Sequence, residues 1–186
     1  MTFNIKSKGI TDWLKRVSCN AMHSVDCVNP SLSNLMQLTI DSDALPGTDS
    51  SHSGYQDCYK DQLHSSQSDE LPHVFYWTLF PPRIPQHRLA SDGYDATWTP
   101  PAPYSKRMWA GGSIEWLPVN PLRLMQRVSQ TSRLEAVNQK TDDSVFVTMK
   151  HNIENESGLS VSENRTYVYL RETANIRRRQ IQGNSE

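Results

Sequence analysis

Cysteine is scarce in this chain: Cys19, Cys27 and Cys58 are its only three, and no two of them form a CxxC pair. An odd, scattered set excludes a disulfide framework, lacks zinc-site spacing and fits a reducing compartment. A surplus of one charge is also missing. Lys and Arg number 19 against 20 Asp and Glu, so electrostatics give no reason to expect nucleic acid or an anionic membrane as partner. No window approaches the ~20 apolar residues of a membrane span, and the opening "MTFNIKSKGITDWLKRVS" lacks the apolar core of a secretory signal. The expected location is cytoplasmic. Lys6, Lys8, Lys15 and Arg16 against the single acid Asp12 leave a mitochondrial presequence as the alternative. No motif asks for a metal or cofactor, and none is expected.

What is present suits one domain. The 186 residues are 36% hydrophobic with a mean hydropathy of −0.65, polar for a globular chain but rich enough in Trp, Tyr and Val to bury a core. An N-terminal helical segment packing on the domain is expected over 1–40. In it "ITDWLKRV" (10–17) is a helix capped by Thr11 or Asp12, and "SLSNLMQLTI" (31–40) is a second, with Leu32, Leu35 and Met36 on one face. Residues 41–70 turn to Ser, Asp, Gly, His and Gln, the texture of a polar loop. The domain proper is expected over 71–175, and a basic, polar tail with Arg177 to Arg179 over 176–186.

Inside that domain "LPHVFYWTLF" carries Val74, Trp77 and Phe80 at helical spacing before Pro81-Pro82, which predicts a buried helix of two to three turns. The Pro-rich stretch that follows reads as a surface loop with a turn at Asp92-Gly93. Beyond Gly112 the period becomes two. Leu122, Leu124 and Val128 alternate with Arg123, Met125 and Arg127; Val145, Val147, Met149, His151 and Ile153 alternate with Phe146, Thr148, Lys150 and Asn152; "TYVYL" closes the set, with "KTDDS" and "NESG" as turns. The periodicity predicts three or four consecutive antiparallel strands behind one helix, an α+β layer pair.

The order "YWTLF", "LASDGYDATWTPPAPYSKRMWAGGSIEWLPVNPLRL", "VFVTMKHNI", "RTYVYLRE" resembles the fungal and bacterial hydroxyacyl-thioester dehydratase type 2 proteins and the FAS1-like dehydratase half of mesaconyl-CoA hydratases. The resemblance covers residues 71 to 172 and implies a hot-dog fold, an antiparallel sheet wrapped around a central helix, usually paired as a dimer or a double hot dog. This chain departs from the pattern in three places. The family's Asp-Gly-His-Pro turn is here Asp92-Gly93-Tyr94-Asp95, and the Gly-Asp expected after Pro121-Leu122 is replaced by Leu124-Met125-Gln126. The Gly-Asp-x-Asn-Pro-x-His segment that carries the hydratase Asp/His dyad is absent from the 186 residues.

Dehydration of a 3-hydroxyacyl thioester needs a base for the α-proton and an acid for the departing hydroxyl, and no motif here defines such a pair. Of the six histidines, only His151 lies on an apolar strand face; a core role satisfied by a backbone carbonyl is the plain reading, a catalytic one the alternative. Aromatics crowd one region, and those in loops line pockets more often than those in helices. An apolar pocket without an acid–base dyad suits a reaction governed by substrate folding, such as an intramolecular Diels–Alder cyclisation assisted by a hydrogen-bond donor on a carbonyl. The candidates for that donor are Tyr94, Arg107 and His151. Candidates for the pocket wall are Tyr76, Trp77, Phe80, Trp98, Tyr104, Met108, Trp109, Trp116 and Met149. The expectation is a repurposed hot-dog lyase or cyclase of specialised metabolism, a homodimer acting on an apolar small molecule. The alternatives are an (R)-3-hydroxyacyl-thioester dehydratase or hydratase, alone or with a catalytic partner subunit, and a non-catalytic acyl-binding subunit.

Overall fold

The computed structural model describes residues 1–39, 70–90 and 93–171. The polar loop expected over 41–70 (save Glu70), Asp92, Cys58, His52, His64 and the tail over 176–186 therefore lie outside the described residues. In chain order the elements are β1 (Thr2–Asn4), α1 (Lys8–Val17), β2 (Ala21–Cys27), α2 (Pro30–Thr39), β3 (Tyr104–Trp116), β4 (Arg127–Thr141), β5 (Ser144–Asn155) and β6 (Gly158–Arg171). They build a six-stranded sheet in the order β1-β4-β5-β6-β3, with β2 also on β4. All pairings are antiparallel except β1 on β4. The stretch before residue 40 is thus not only helical, because β1 and β2 both join the sheet. Among the described residues no helix is long and apolar enough to cross a membrane.

Strands β4, β5 and β6 form a meander whose turns fall in "KTDDS" and "NESG", and Gly158 enters β6 at φ +110, where a side chain is strained. Their inner face alternates as expected of half-buried strands: Val145, Val147, Met149 and Ile153 are all under 5% exposed. Ile10, Trp13, Leu14 and Val17 fall at i, i+3, i+4 and i+7, one helical face, and they bury α1 against that sheet face. The resulting core is split. One cluster joins α1 to Leu134, Val137, Val145, Val147, Met149, Tyr104 and Tyr169. The other joins Val28, Leu71, Phe75, Tyr76, Leu79, Leu122, Leu124, Val128, Ile153 and Val161.

Several local expectations are corrected. The N-cap of α1 is Ser7, with no side-chain cap bond, and Thr11 turns its hydroxyl back to the Ser7 carbonyl (3.0 Å). The helix expected over 71–80 is a single 3-10 turn, Phe75–Thr78. Val74 (φ +74) and Phe80 (φ +58) stand left-handed on either side of it, a conformation that ends a right-handed helix and costs a β-branched residue most. Leu122 and Leu124 are buried, as their alternation suggests, but in a loop; β4 begins at Arg127. That loop is tied down by Leu71 N–H to Leu122 O (2.8 Å) and by Met125 N–H to Val28 O (2.8 Å). Gly111 and Gly112, beyond which the period of two is expected to start, already lie within β3, at a register shift between Trp109 and Gly111. A Cβ on Gly112 would stand 2.5 Å from the Asn164 carbonyl oxygen, so the two backbones approach there as closely as glycine allows.

Candidate functional site

Strand register sets the site. Ser132 on β4 pairs with His151 on β5, and His151 pairs with Glu163 on β6. Residues directly opposite share a face, so a polar row crosses the inner face of the sheet between the two apolar clusters. Arg165 occupies the next inner position of β6, opposite Met149. A cavity of about 730 Å³ opens over this row, with Tyr76 and Leu79 on one side and Val147, Met149 and Tyr169 on the other.

Each member of the row is held. The Ser132 hydroxyl and His151 Nδ1 are 2.8 Å apart. Glu163 is fully buried; its Oε1 accepts from Arg165 Nε, and its Oε2 accepts from Arg165 Nη2 (2.8 Å) and from the Tyr76 hydroxyl (2.9 Å). Fork-to-carboxylate pairing of this kind is among the stronger side-chain contacts. Burial, followed by the charge of Arg165 and only partly offset by Glu163, pushes His151 down from 6.5 to about 4, so its ring is neutral at physiological pH. Burial, and then the Glu163 carboxylate, raises the Tyr76 phenol. For Arg165 burial acts downward, but the hydrogen bonds and charge of Glu163 outweigh it, and the guanidinium is raised.

Aromatic rings form the outer wall. The Arg107 guanidinium lies 3.5 Å from the Tyr94 ring centre and 5.0 Å from that of Tyr167. Trp77 meets Trp109, and Trp109 meets Tyr167, edge to face at 6.4 and 5.7 Å. Asp95 fixes the following turn by accepting from Thr97 N–H (2.8 Å) and Thr97 Oγ1 (2.6 Å), which sets Trp98 at the cavity.

The structure brings Tyr94, Arg107, His151, Tyr76, Trp77, Phe80, Trp98 and Met149 to this one cavity. Four other candidates go elsewhere. Tyr104 is buried in the α1 cluster, with its hydroxyl donating to the Asp142 carbonyl (2.9 Å). Trp116 packs against the second cluster and stacks on His73 at 4.6 Å. Met108 and Trp109 are half exposed, and neither lines the cavity, although Trp109 buttresses Trp77 from outside. Sequence reading missed Ser132, Glu163 and Arg165. The signal was present in "VSENRTY", where period two puts Glu163 and Arg165 on the same face as Val161 and Tyr169.

Comparison with known proteins agrees with this architecture. The ChsH1–ChsH2 complex from Mycobacterium tuberculosis superposes with a TM-score of 0.56 at 13% identity, covering 90% of this chain and 94% of that one. A MaoC-like dehydratase from Rhodospirillum rubrum gives a TM-score of 0.47 at 16% identity, over 84% and 94% of the two chains. The fold is the hot-dog fold. Mesaconyl-C(4)-CoA hydratase of Chloroflexus aurantiacus is 35% identical over 104 residues, 53% of this chain and 36% of that protein, so the match spans about a third of the relative's length. The model of hydroxyacyl-thioester dehydratase type 2 matches residues 73–186, well over half of the sequence, and the chain belongs to that family.

Proposed function

We propose that this chain interconverts 3-hydroxyacyl and 2-enoyl thioesters, holding the acyl group in the cavity and moving the proton with His151. The observation that carries the reading is a neutral, hydrogen-bonded imidazole at the floor of an aromatic-walled cavity. With Nδ1–H donating to Ser132 Oγ, Nε2 is free to accept the α-proton. The imidazolium so formed is a strong acid in this buried place and hands the proton to the departing hydroxyl; the C–H electron pair becomes the double bond and water leaves. One imidazole serves both steps. The Arg165 charge, felt at His151, favours the enolate that develops between them. Support for the substrate class comes from the family and from the hydratase relative. Incubating the purified chain with crotonyl-CoA tests it: expected is loss of the enoyl-thioester absorbance, slowed at least ~10²-fold in His151→Ala, the scale of a lost general acid–base group. No turnover of enoyl or 3-hydroxyacyl thioesters of any chain length overturns it.

A homodimer belongs to the same reading. It draws support from strand β3, which pairs with β6, lies at the end of the sheet path and carries half-exposed Met108 and Trp109. Native mass measurement separates it from a requirement for a second, different subunit. Cyclisation is the second reading, and the Tyr94, Trp98 and Trp77 wall favours it because a ring closure needs shape rather than proton transfer. Under that reading His151→Ala leaves the rate on a polyene substrate within about threefold, a change far below the ~10² of a lost proton donor.

A further inference from the structure

We propose that Ser132 is an acyl-accepting nucleophile, so that the cavity also transfers the acyl group of a thioester or activated ester through a covalent intermediate. The Ser132–His151 contact has the length of a working nucleophile–base pair (2.8 Å). Both residues line the cavity, and strand register sets Glu163 opposite His151 on the far side. The hydrogen bonds of Glu163 go to Arg165 and Tyr76, so the working set is the Ser132–His151 pair on two neighbouring strands, with Glu163 holding Arg165 in place beside it. Rigid β-strands hold such a set more firmly than loops do. The hydrogen bond must run from the Ser132 hydroxyl to Nδ1 here, opposite to its direction in hydration, and a neutral imidazole can adopt either tautomer.

The chemistry closes without a co-reactant other than water. Ser132 Oγ attacks the carbonyl carbon while its proton passes to His151 Nδ1. Arg165, whose charge reaches His151, stabilises the oxyanion. The C–S bond breaks, the sulfur leaves with the proton from His151, and the acyl group remains as an ester on Ser132. Water then attacks that ester with His151 as base, releasing the carboxylic acid and restoring the hydroxyl. No atom changes oxidation state. Nothing in the hydration chemistry needs Ser132 to form a bond, so the two activities can fail separately.

The test uses the full chain with p-nitrophenyl butyrate and with butyryl-CoA, quenched in acid and read by intact mass and peptide mapping. Expected is a butyryl adduct on the peptide holding Ser132, absent from S132A and at least tenfold weaker in H151N. S132C, which keeps a nucleophile in place, is expected to accumulate the adduct at the same position. Lack of an adduct in both the wild type and S132C, or an adduct that survives S132A, overturns the proposal. Crotonyl-CoA hydration measured on the same samples distinguishes the readings: hydration without adduct refutes acyl transfer alone, and adduct without hydration refutes the dehydratase reading alone.

Discussion

Replacing Glu163 by Gln removes one charge from the least exposed polar side chain of the row and leaves the Arg165 guanidinium facing a neutral amide. The Glu163 side chain is 1% exposed and that of Arg165 is 25% exposed, so water can rescue the cation only in part. Breaking a buried pair on one side costs about 3–5 kcal/mol; with Arg165 a quarter open to solvent the lower end, about 3 kcal/mol, is the appropriate figure. The amide also turns an N–H towards the Arg165 fork where an oxygen had accepted. In a domain of this size about 3 kcal/mol lowers Tm by ~6–12 °C and moves a urea midpoint by ~1.5 M at a slope of ~2 kcal/mol per M. The assay is urea unfolding followed by fluorescence of E163Q, R165M and the double variant E163L/R165M. Both single variants should be destabilised and the double variant should recover at least half of the loss, because an apolar pair of similar volume leaves no charge uncompensated. A loss below ~0.5 kcal/mol in E163Q, the scale of an ordinary surface change, or an additive double variant, refutes the account of the row as a mutually dependent buried pair.

Acid sensitivity follows from His151. Its value falls from 6.5 to about 4 on folding, so between those pH values the unfolded chain binds the extra proton and stability rises with pH. The contribution, about 3 kcal/mol at ~1.4 kcal/mol per unit, is complete above pH ~6.5 and lost as pH falls towards ~4; the urea midpoint of H151Q should lack that slope. Gly112→Ala should lower Tm by ~2–12 °C, a cost of about 1–3 kcal/mol, since the new Cβ meets backbone at 2.5 Å. Met125 holds φ +63 with its side chain half exposed. Met125→Gly should therefore raise stability by about 0.5 kcal/mol, the release of left-handed strain less the entropy glycine adds to the unfolded chain. Arg107→Ala removes a cation stacked on Tyr94 and Tyr167; ligand affinity should fall by roughly three- to tenfold, about 1 kcal/mol, while the Tm changes little.

The sequence was most legible where one physical signal ruled. The unbroken alternation from Val145 to Ile153 gave β5, its buried face and the inward aim of His151. The spacing of Ile10, Trp13, Leu14 and Val17 gave α1. Legibility failed where polar function interrupts the pattern. Glu163 and Arg165 break the apolar period of β6, so the periodicity predicts the strand only from Thr166 although it begins at Gly158. Strand β2 has mixed composition and, among the described residues, pairs only with β4, so neither of its faces needs to be apolar. Tyr76 and Trp77 sit at plausible helical spacing, yet left-handed Val74 and Phe80 confine their segment to one turn, and backbone strain at non-glycine residues leaves no mark in composition. The cyclase expectation rested on the lack of an acid–base motif. The groups that gather at the cavity floor are contributed by three strands and a distant turn, and no linear spacing could join them.

The split core ties ligand binding to stability. Where a domain of this size would ordinarily be continuous, Ser132, His151, Glu163 and Arg165 interrupt it, and the cavity above them separates the α1 cluster from the Phe75 cluster. Under the proposed function, an acyl chain lying there meets Tyr76 and Leu79 on one side and Val147 and Met149 on the other, and so bridges the two clusters. Its binding adds to the free energy of unfolding by mass action, about 2.7 kcal/mol at a hundredfold excess over Kd. Under that reading, acyl thioesters that bridge the two clusters should raise Tm most, so a thermal-shift series orders them by affinity.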